Sequence, residues 1–401
     1  MTTTAAAVVV VSGATSTRDN ARMVAASVNR PGLDDSQLYW LTLYRAYGCG
    51  SVGSLRALES AGGDIRLAVE RVASAALGAA AIDRARTDAQ LDQQWLNDTG
   101  ACVLSIRDPR YPPLLQRLAG APFLLFVRGD ADALWTPQLA IVGSRQGTAG
   151  GLATARDFAA TFVSRGFAVV SGLAAGIDAA AHQGAIDAGG TTVAVLGTGL
   201  DRIYPARNAD LARAIALHGA LVTEFPPRTP ARKENFPRRN RVISGLSLGT
   251  LVVEASLGSG SLITARVAAE QGREVFAIPG SIHNPLAKGC HQLIRDGVKL
   301  VETAQEVIDE LQPLVREWAD TLGPLEVRAA PTESSGKPAQ SLDDADYQAL
   351  RKALGHDPVA LDALVERTGL TVPVLSSMLL RMELEGEVVA NPGGTYSRCA
   401  G

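Results

Sequence analysis

The sequence predicts an α/β protein built on a doubly wound, mostly parallel sheet, with a helical domain before it and a winged-helix domain after it. Three observations predict this class. Over residues 138–312, short apolar runs rich in Val and Ile alternate with helical stretches, and several runs end at Gly. Buried parallel strands joined by crossover helices carry that pattern. Gly accounts for 40 of 401 residues while aromatics reach only 5%, as many tight strand-to-helix turns require. Residues 343–401 show three helical patterns and then a hairpin signal, the order of a winged helix.

The elements follow in order. Residues 1–33 are rich in Ala, Thr, Ser and Val and close with Pro31-Gly32; they are expected to form a flexible tail. Residues 34–100 turn helical. Leu38, Leu41, Leu43 and Tyr44, then Leu55 and Leu58, then Ile65, Leu67, Val69 and Val72 mark several short helices, interrupted by the Gly-rich stretch 47–53. Small helical nucleic-acid-binding domains show this pattern, and so do helical domains that only pack. Residues 101–312 form one extended sheet domain. Short strands at 102–106 and 123–127 flank Tyr111-Pro112-Pro113 and extend the sheet that follows. Its strands are expected at 139–142, 168–171, 192–196, 220–223, 249–253 and 274–278. In such a sheet, ligands sit outside the carboxyl ends of the strands. Residues 313–342, with Pro313, Pro324, Pro331, Pro338 and Ser334-Ser335-Gly336, form a linker that opens after a helix running to about Leu322. In the last domain, helices are expected at 343–354, 360–368 and 372–385, and the turn Asn391-Pro392-Gly393-Gly394 joins two wing strands.

Composition bounds the function. A hydrophobic content of 46% with 20% charged residues excludes wholesale disorder. The longest apolar run, 5–11, falls far short of the ~20 residues of a membrane span, and no basic segment precedes it, so no signal peptide is expected. Cys49, Cys102, Cys290 and Cys399 are scattered without a CxxC, which suits a reducing cytoplasm. The five His residues form no HExxH; no metal and no cofactor are expected. The net charge of −3 hides an asymmetry. Residues 136–300 carry 17 Lys+Arg against 11 Asp+Glu, whereas 341–401 carry 5 against 9. An anionic ligand therefore belongs to the middle of the chain, and the acidic last domain suits a protein or regulatory contact.

Five constellations carry chemistry. Ala140-Ile141-Val142-Gly143-Ser144-Arg145 runs from a strand into a turn that lets backbone approach a phosphate, with Arg145 for charge and a helix N-terminus beyond. Ser171-Gly172-Leu173 leads into Gly176-Ile177-Asp178, with His182 one helical turn on; Asp178 and His182 suit a catalytic pair or, with no nucleophile placed beside them, a capping and a packed residue. Asn235-Phe236-Pro237-Arg238-Arg239-Asn240-Arg241 combines arginines with an aromatic, the mixture that single-stranded nucleic acid needs; a solvated basic loop is the alternative. Glu254 opens a fourth loop whose Ser256, Ser259, Ser261 and Thr264 can donate to phosphate; Glu254 itself repels phosphate and is expected to orient Arg239 or Arg241. Cys290 and His291 in the fifth point about 100° apart on a helix, which argues against a nucleophile–base pair. No general base, nucleophile and oxyanion site come together, so the residues favour binding over catalysis.

In these motifs the chain resembles the bacterial DNA-processing family of DprA, also called Smf. The resemblance rests on Gly143-Ser144-Arg145, Ser171-Gly172-Leu173, Gly176-Ile177-Asp178 with Ala181-His182, and Leu196-Gly197-Thr198-Gly199-Leu200-Asp201 with Tyr204-Pro205. It continues in Thr223-Glu224-Phe225-Pro226-Pro227, Asn235-Phe236-Pro237 with Arg239-Asn240-Arg241, Glu254-Ala255 with Gly258-Ser259-Gly260-Ser261, Pro279-Gly280, and Gly289-Cys290-His291. It is strong over about 105–305. Ala174-Ala175 departs from it, where many members carry a basic or larger residue. The resemblance implies a Rossmann-like DNA-binding domain, a head like a sterile alpha motif (SAM) and a winged helix. It implies a protein, not an enzyme, that binds single-stranded DNA and helps to load the RecA recombinase onto it during natural transformation. It also implies a cytoplasmic homodimer joined through the Rossmann-like domain. Carried onto this chain, the DNA-binding residues are Gly143, Ser144, Arg145, Arg207, Phe236, Arg239, Asn240, Arg241, Gly258, Ser259, Gly260 and Thr264. The sheet also resembles the phosphoribohydrolases once called lysine decarboxylases, which would make the chain a nucleotide-binding hydrolase. Their PGGxGTxxE run with its catalytic Glu is incomplete here, where Glu254-Ala255-Ser256-Leu257-Gly258-Ser259-Gly260-Ser261 stands.

Overall fold

The computed structural model describes residues 35–48, 51–322, 345–354, 359–370, 375, 378–379, 382, 388–391 and 395–398. The expected tail, the linker beyond Leu322 and most of the helix expected at 372–385 lie outside the described residues. The chain divides into two compact units, Met1–Gly323 and Pro324–Gly401.

Among the described residues the first unit begins with the α-helices α1 (Asp35–Tyr47), α2 (Ser51–Ser60), α3 (Ile65–Arg71) and α4 (Ala79–Thr99), with a π-helical stretch, Val72–Ala76, between the last two. Asp64 caps α3 by accepting from the N–H groups of Arg66 and Leu67 at 2.9 and 3.1 Å. Leu41, Leu43, Tyr44, Leu58 and Val69 are buried, as the periodicity of the sequence requires. Their core does not stop at the head. It continues into Phe123, Leu124 and Phe126 of the sheet, with Trp40 stacked at 5.0 Å on Phe123 and Tyr44 edge-on to Phe126 at 6.1 Å.

The sheet has nine strands: β1 (Cys102–Ser105), β2 (Leu124–Gly129), β3 (Gln138–Val142), β4 (Ala168–Ser171), β5 (Thr192–Val195), β6 (Gly219–Thr223), β7 (Gly249–Val252), β8 (Glu274–Ala277) and β9 (Lys299–Leu300). Their spatial order is β1-β2-β6-β5-β4-β3-β7-β8-β9. From β6 to β9 every pairing is parallel; β1 and β2 add an antiparallel edge. Crossovers are supplied by α6 (Ala149–Ser164), α7 (Ile177–Asp187), α8 (Ala209–His218), α9 (Asn235–Leu246), α10 (Gly260–Glu270) and α11 (Lys288–Arg295); α12 (Ala304–Leu322) follows β9, and a short α5 (Pro113–Gln116) lies between β1 and β2. Alternation along a strand sends Ala140 and Val142 to one core layer and Leu139 and Ile141 to the other. The expected strands are present; β9, two exposed residues, carries too little apolar signal to be read from sequence. Helix α12 runs through Pro313, which the sequence places at the start of the linker. The chain winds outward from β3 through β4 and β5 to β6, then returns to β7 on the other side of β3. That reversal creates a crevice at the carboxyl ends of β3 and β7.

In the second unit, α13 (Ala345–Ala353) and α14 (Leu361–Thr368) pack with a three-stranded sheet of β10 (Val359–Ala360), β12 (Thr395–Arg398) and β11 (Val388–Asn391), in that order. Leu350, Leu364, Leu375, Met378, Leu379, Met382 and Val388 form its core. The expected hairpin pairs Val389 with Ser397.

Candidate nucleic-acid interface

A cavity of about 520 Å³ opens at the switch point. Four segments wall it, with Leu286 from a 3-10 turn after β8 (Pro285–Ala287) as a fifth. The turn after β3 gives Gly143, Ser144, Arg145 and Gln146; the turn after β4 gives Ala174 and Asp178. Helix α9 gives Phe236, Pro237, Arg239, Asn240 and Ile243. The loop after β7 gives Ser256 and Ser259, continued by Gly260, Ser261 and Thr264 of α10.

Backbone bonds fix the first turn. Ser144 donates its N–H to the Glu254 carbonyl at 2.7 Å and accepts from the N–H of Ile177 at 3.1 Å. Gly176 has φ +79°, and a Cβ there would lie 2.2 Å from the Ser144 carbonyl oxygen, so only Gly allows this approach. Arg145 is exposed at the rim, its guanidinium 5.8 Å from the centroid of Phe236. The Tyr204 ring centroid lies 5.6 Å from that of Phe236, the two rings tilted by 50°, and Tyr204 is 50% exposed. Phe236 thus has both a cation and a second aromatic ring beside it.

Arg239 is different. It is buried, and its Nη1 donates to the carbonyls of Gly172 and Val195, the latter at 2.9 Å. Gly172 makes room for it: any Cβ there would overlap the guanidinium. Asp178 accepts from the N–H groups of Gly172 and Ala174 at 3.2 and 3.3 Å. Burial pushes the Asp178 carboxyl up, opposed by the Arg239 charge, and burial brings Arg239 down to about 10. His182 sits behind them. Its Nδ1 is 2.7 Å from the Thr192 hydroxyl, whose own proton goes to the Val169 carbonyl at 2.8 Å. Nδ1 therefore carries the proton, and the buried Nε2 has no partner. Burial, with Arg239, lowers His182 to about 3. Asp178 thus ties the turn after β4 together rather than capping α7, and His182 packs beneath it.

The loop after β7 leaves the start of α10 open. Added Cβ atoms at Gly258 and Gly260 would meet nothing within 4 Å. Ser259 caps the helix through the Ser261 N–H, and the two hydroxyls bond at 2.6 Å. Thr264 is buried in the wall, and Asn240 reaches the Gly260 carbonyl at 3.4 Å, tying α9 to α10.

Four sequence expectations land elsewhere. Arg241 does not line the cavity; it pairs with Glu224 at 2.5 Å and with the Gly120 carbonyl. Arg207, on a 3-10 turn (Ala206–Asn208), is exposed and outside the cavity wall, as is Gly258. Glu254 orients neither Arg239 nor Arg241. Its carboxylate accepts from the Thr148 N–H at 2.8 Å, the Thr148 hydroxyl at 2.7 Å and Asn284 at 3.3 Å. It thereby occupies the positive end of α6, which the sequence offers to a phosphate. Cys290 is buried under the Val252 and Val253 carbonyls and burial raises its thiol to about 11, while His291 bonds Gly280. They are not a pair. Gln146 and Ile263 line the cavity without being selected by charge or motif. Tyr204, quoted in a motif but given no role there, stands beside Phe236.

A doubly wound sheet whose switch point opens into a donor-lined, partly aromatic and cationic cavity is a Rossmann-like architecture, in which ligands sit at this crevice. The comparisons with known proteins narrow this. The family model described as DNA recombination-mediator protein A matches residues 102–312, and that described as DprA winged helix domain matches 331–394. Protein Smf of Escherichia coli is 43% identical over 301 residues, covering 75% of this chain and 78% of that protein. DNA processing protein DprA of Streptococcus pneumoniae is 46% identical over 208 residues, covering 52% of this chain and 73% of that protein. The X-ray structure of DprA from Streptococcus pneumoniae matches with a TM-score of 0.61 at 39% identity, over 68% of this chain and 97% of that one. The chain belongs to the DNA recombination-mediator protein A family, that of DprA and Smf.

Proposed function

We propose that the chain binds single-stranded DNA in the switch-point cavity and helps to load RecA onto it. The observation that carries this reading is the joint placement of Arg145, Phe236 and the open N-terminus of α10 around one cavity. The Ser259–Ser261 turn and the α10 dipole hold a phosphate. Arg145 neutralises the backbone, and the Phe236 ring stacks a base, a contact worth roughly 1–3 kcal/mol. Arg239 supports the cavity from below as a fixed positive charge. The recombinase partner is supported by the family description, that of a recombination mediator. A homodimer through the Rossmann-like domain would double the site and raise avidity, and the reading places the protein in the cytoplasm with its recombinase. The hydrolase alternative loses support, because Glu254 is committed to Thr148 and Asn284.

The test is a salt titration of binding to a labelled oligonucleotide, single-stranded against duplex. A single-strand preference is expected, with Arg145→Ala reducing the slope by about 0.7. Absence of binding at low salt, or an unchanged slope in Arg145→Ala, would overturn the reading.

A further inference from the structure

A second cavity, of about 450 Å³, lies between the helical head and the segment after β6. It shares a wall with the first. In the opening turn of α9, Phe236, Pro237 and Arg239 line the first cavity, while Asn235 and Arg238 line the second. Asn235 is buried and spans the junction, donating to the Gly197 carbonyl at 3.0 Å and the Pro230 carbonyl at 3.3 Å.

The second cavity is basic. Arg45, Arg228, Arg232 and Arg238 line it, against Asp88. Its anchoring carboxylates are outnumbered. Asp92, fully buried, takes Arg45 on both oxygens at 2.6 and 2.5 Å and also Arg228 at 3.1 Å. Glu224 is shared between Arg241 at 2.5 Å and Arg238 at 3.7 Å. Four arginines thus share two buried carboxylates. Arg232 is exposed and takes part in none of the ion pairs among the described residues.

Shape supports the same conclusion. Arg228 has φ +71°, an unusual conformation for a side-chain-bearing residue. It is held there by its N–H to Asp201 at 2.8 Å and by its guanidinium to Asp92. Pro226, Pro227 and Pro230 stiffen the segment, and the Thr229 hydroxyl bonds the Pro226 carbonyl at 2.7 Å. Local strain spent on a fixed guanidinium at a cavity wall points to a ligand contact, and arginine suits a phosphate.

We propose that this arginine-lined cavity takes a second phosphate of the same single strand, so that the strand crosses the first turn of α9 from one cavity to the other. The proposal rests on the single-strand reading above. The helical head then contributes to binding, through Arg45 and the Asp92 anchor.

The test measures binding of thymidine oligonucleotides of increasing length to the full chain and to Arg232→Ala, with Arg232→Gln as second variant and thermal unfolding of each recorded. For the shortest oligonucleotides, which fill the first cavity alone, wild type and variants are expected to bind alike. Past the length that reaches the second cavity, the variants should lose affinity several-fold, with a salt slope smaller by about 0.7. Wild-type binding with no difference at any length overturns the second cavity and leaves the first standing. So does an equal loss at all lengths, which would assign Arg232 to the general field of the protein. Absence of wild-type binding would overturn both readings together.

Discussion

Arg145, Arg239 and Arg241 have the same side chain and three different tasks. Arg145 stands at the rim with its guanidinium on an aromatic ring, Arg239 is sealed under the cavity, and Arg241 is neutralised by Glu224. Replacement should separate them. Arg145→Ala is expected to leave the melting temperature unchanged and to weaken DNA binding. Arg239→Met leaves the Gly172 and Val195 carbonyls without their buried donor and removes the charge that opposes the burial of Asp178, and leaving a buried charge uncompensated costs about 3–5 kcal/mol; a large fall in melting temperature is expected. His182 gives a pH prediction. Its pKa falls from an ordinary 6.5 to about 3 on folding. Only the unfolded chain then takes up the proton between those values, so stability present above pH 6.5 is lost as pH falls toward 3. The slope is up to about 1.4 kcal/mol per pH unit. Melting curves from pH 7 to pH 5 should fall less steeply in His182→Gln; parallel curves would refute the assignment.

At the scale of elements, the site is a set of turns held by other turns. Thr148 caps α6 through the Gly151 N–H at 3.0 Å and also grips Glu254, which comes from the end of β7. Thr148→Ala is expected to cost about 1 kcal/mol, read as a lower unfolding midpoint in urea, with a further effect on the turn after β3 that Glu254 braces through its carbonyl. Gly176 makes a sharper test. Gly176→Ala combines a φ of +79° with a Cβ 2.2 Å from the Ser144 carbonyl oxygen, so the Gly143-Ser144-Arg145 turn must move. Its expected signature is weaker binding together with reduced stability. Stability loss with binding retained would show that the turn is not part of the interface.

The whole molecule separates into two units at residue 323. The head shares its core with the sheet through Phe123, Leu124 and Phe126, and the winged helix has a core of its own. Since the cavities and their arginines belong to the first unit, a chain ending at residue 323 is expected to bind single strands with the affinity and salt slope of the full chain. The acidic module, with 5 Lys+Arg against 9 Asp+Glu over 341–401, should show its effect instead on protein partners. Loss of DNA binding on truncation would reassign it. Mass measurement in solution, with and without an oligonucleotide, tests the dimer.

The sequence by itself determined the strands β1 to β8 and the loops that could face a ligand. The period of a strand and the Gly of a turn are local properties, and the runs at 168–171 and 249–253 carry them in full. Tertiary structure alone decided which charges remain available. Arg241 meets Glu224 17 residues away, Arg239 meets Gly172 67 residues away, and Thr148 meets Glu254 across 106. The second arginine cavity is drawn from the head and from the segment after β6, two stretches with no shared motif. Periodicity acts between neighbours in the chain, whereas a charge is neutralised or left free by whatever folding brings within a few ångströms.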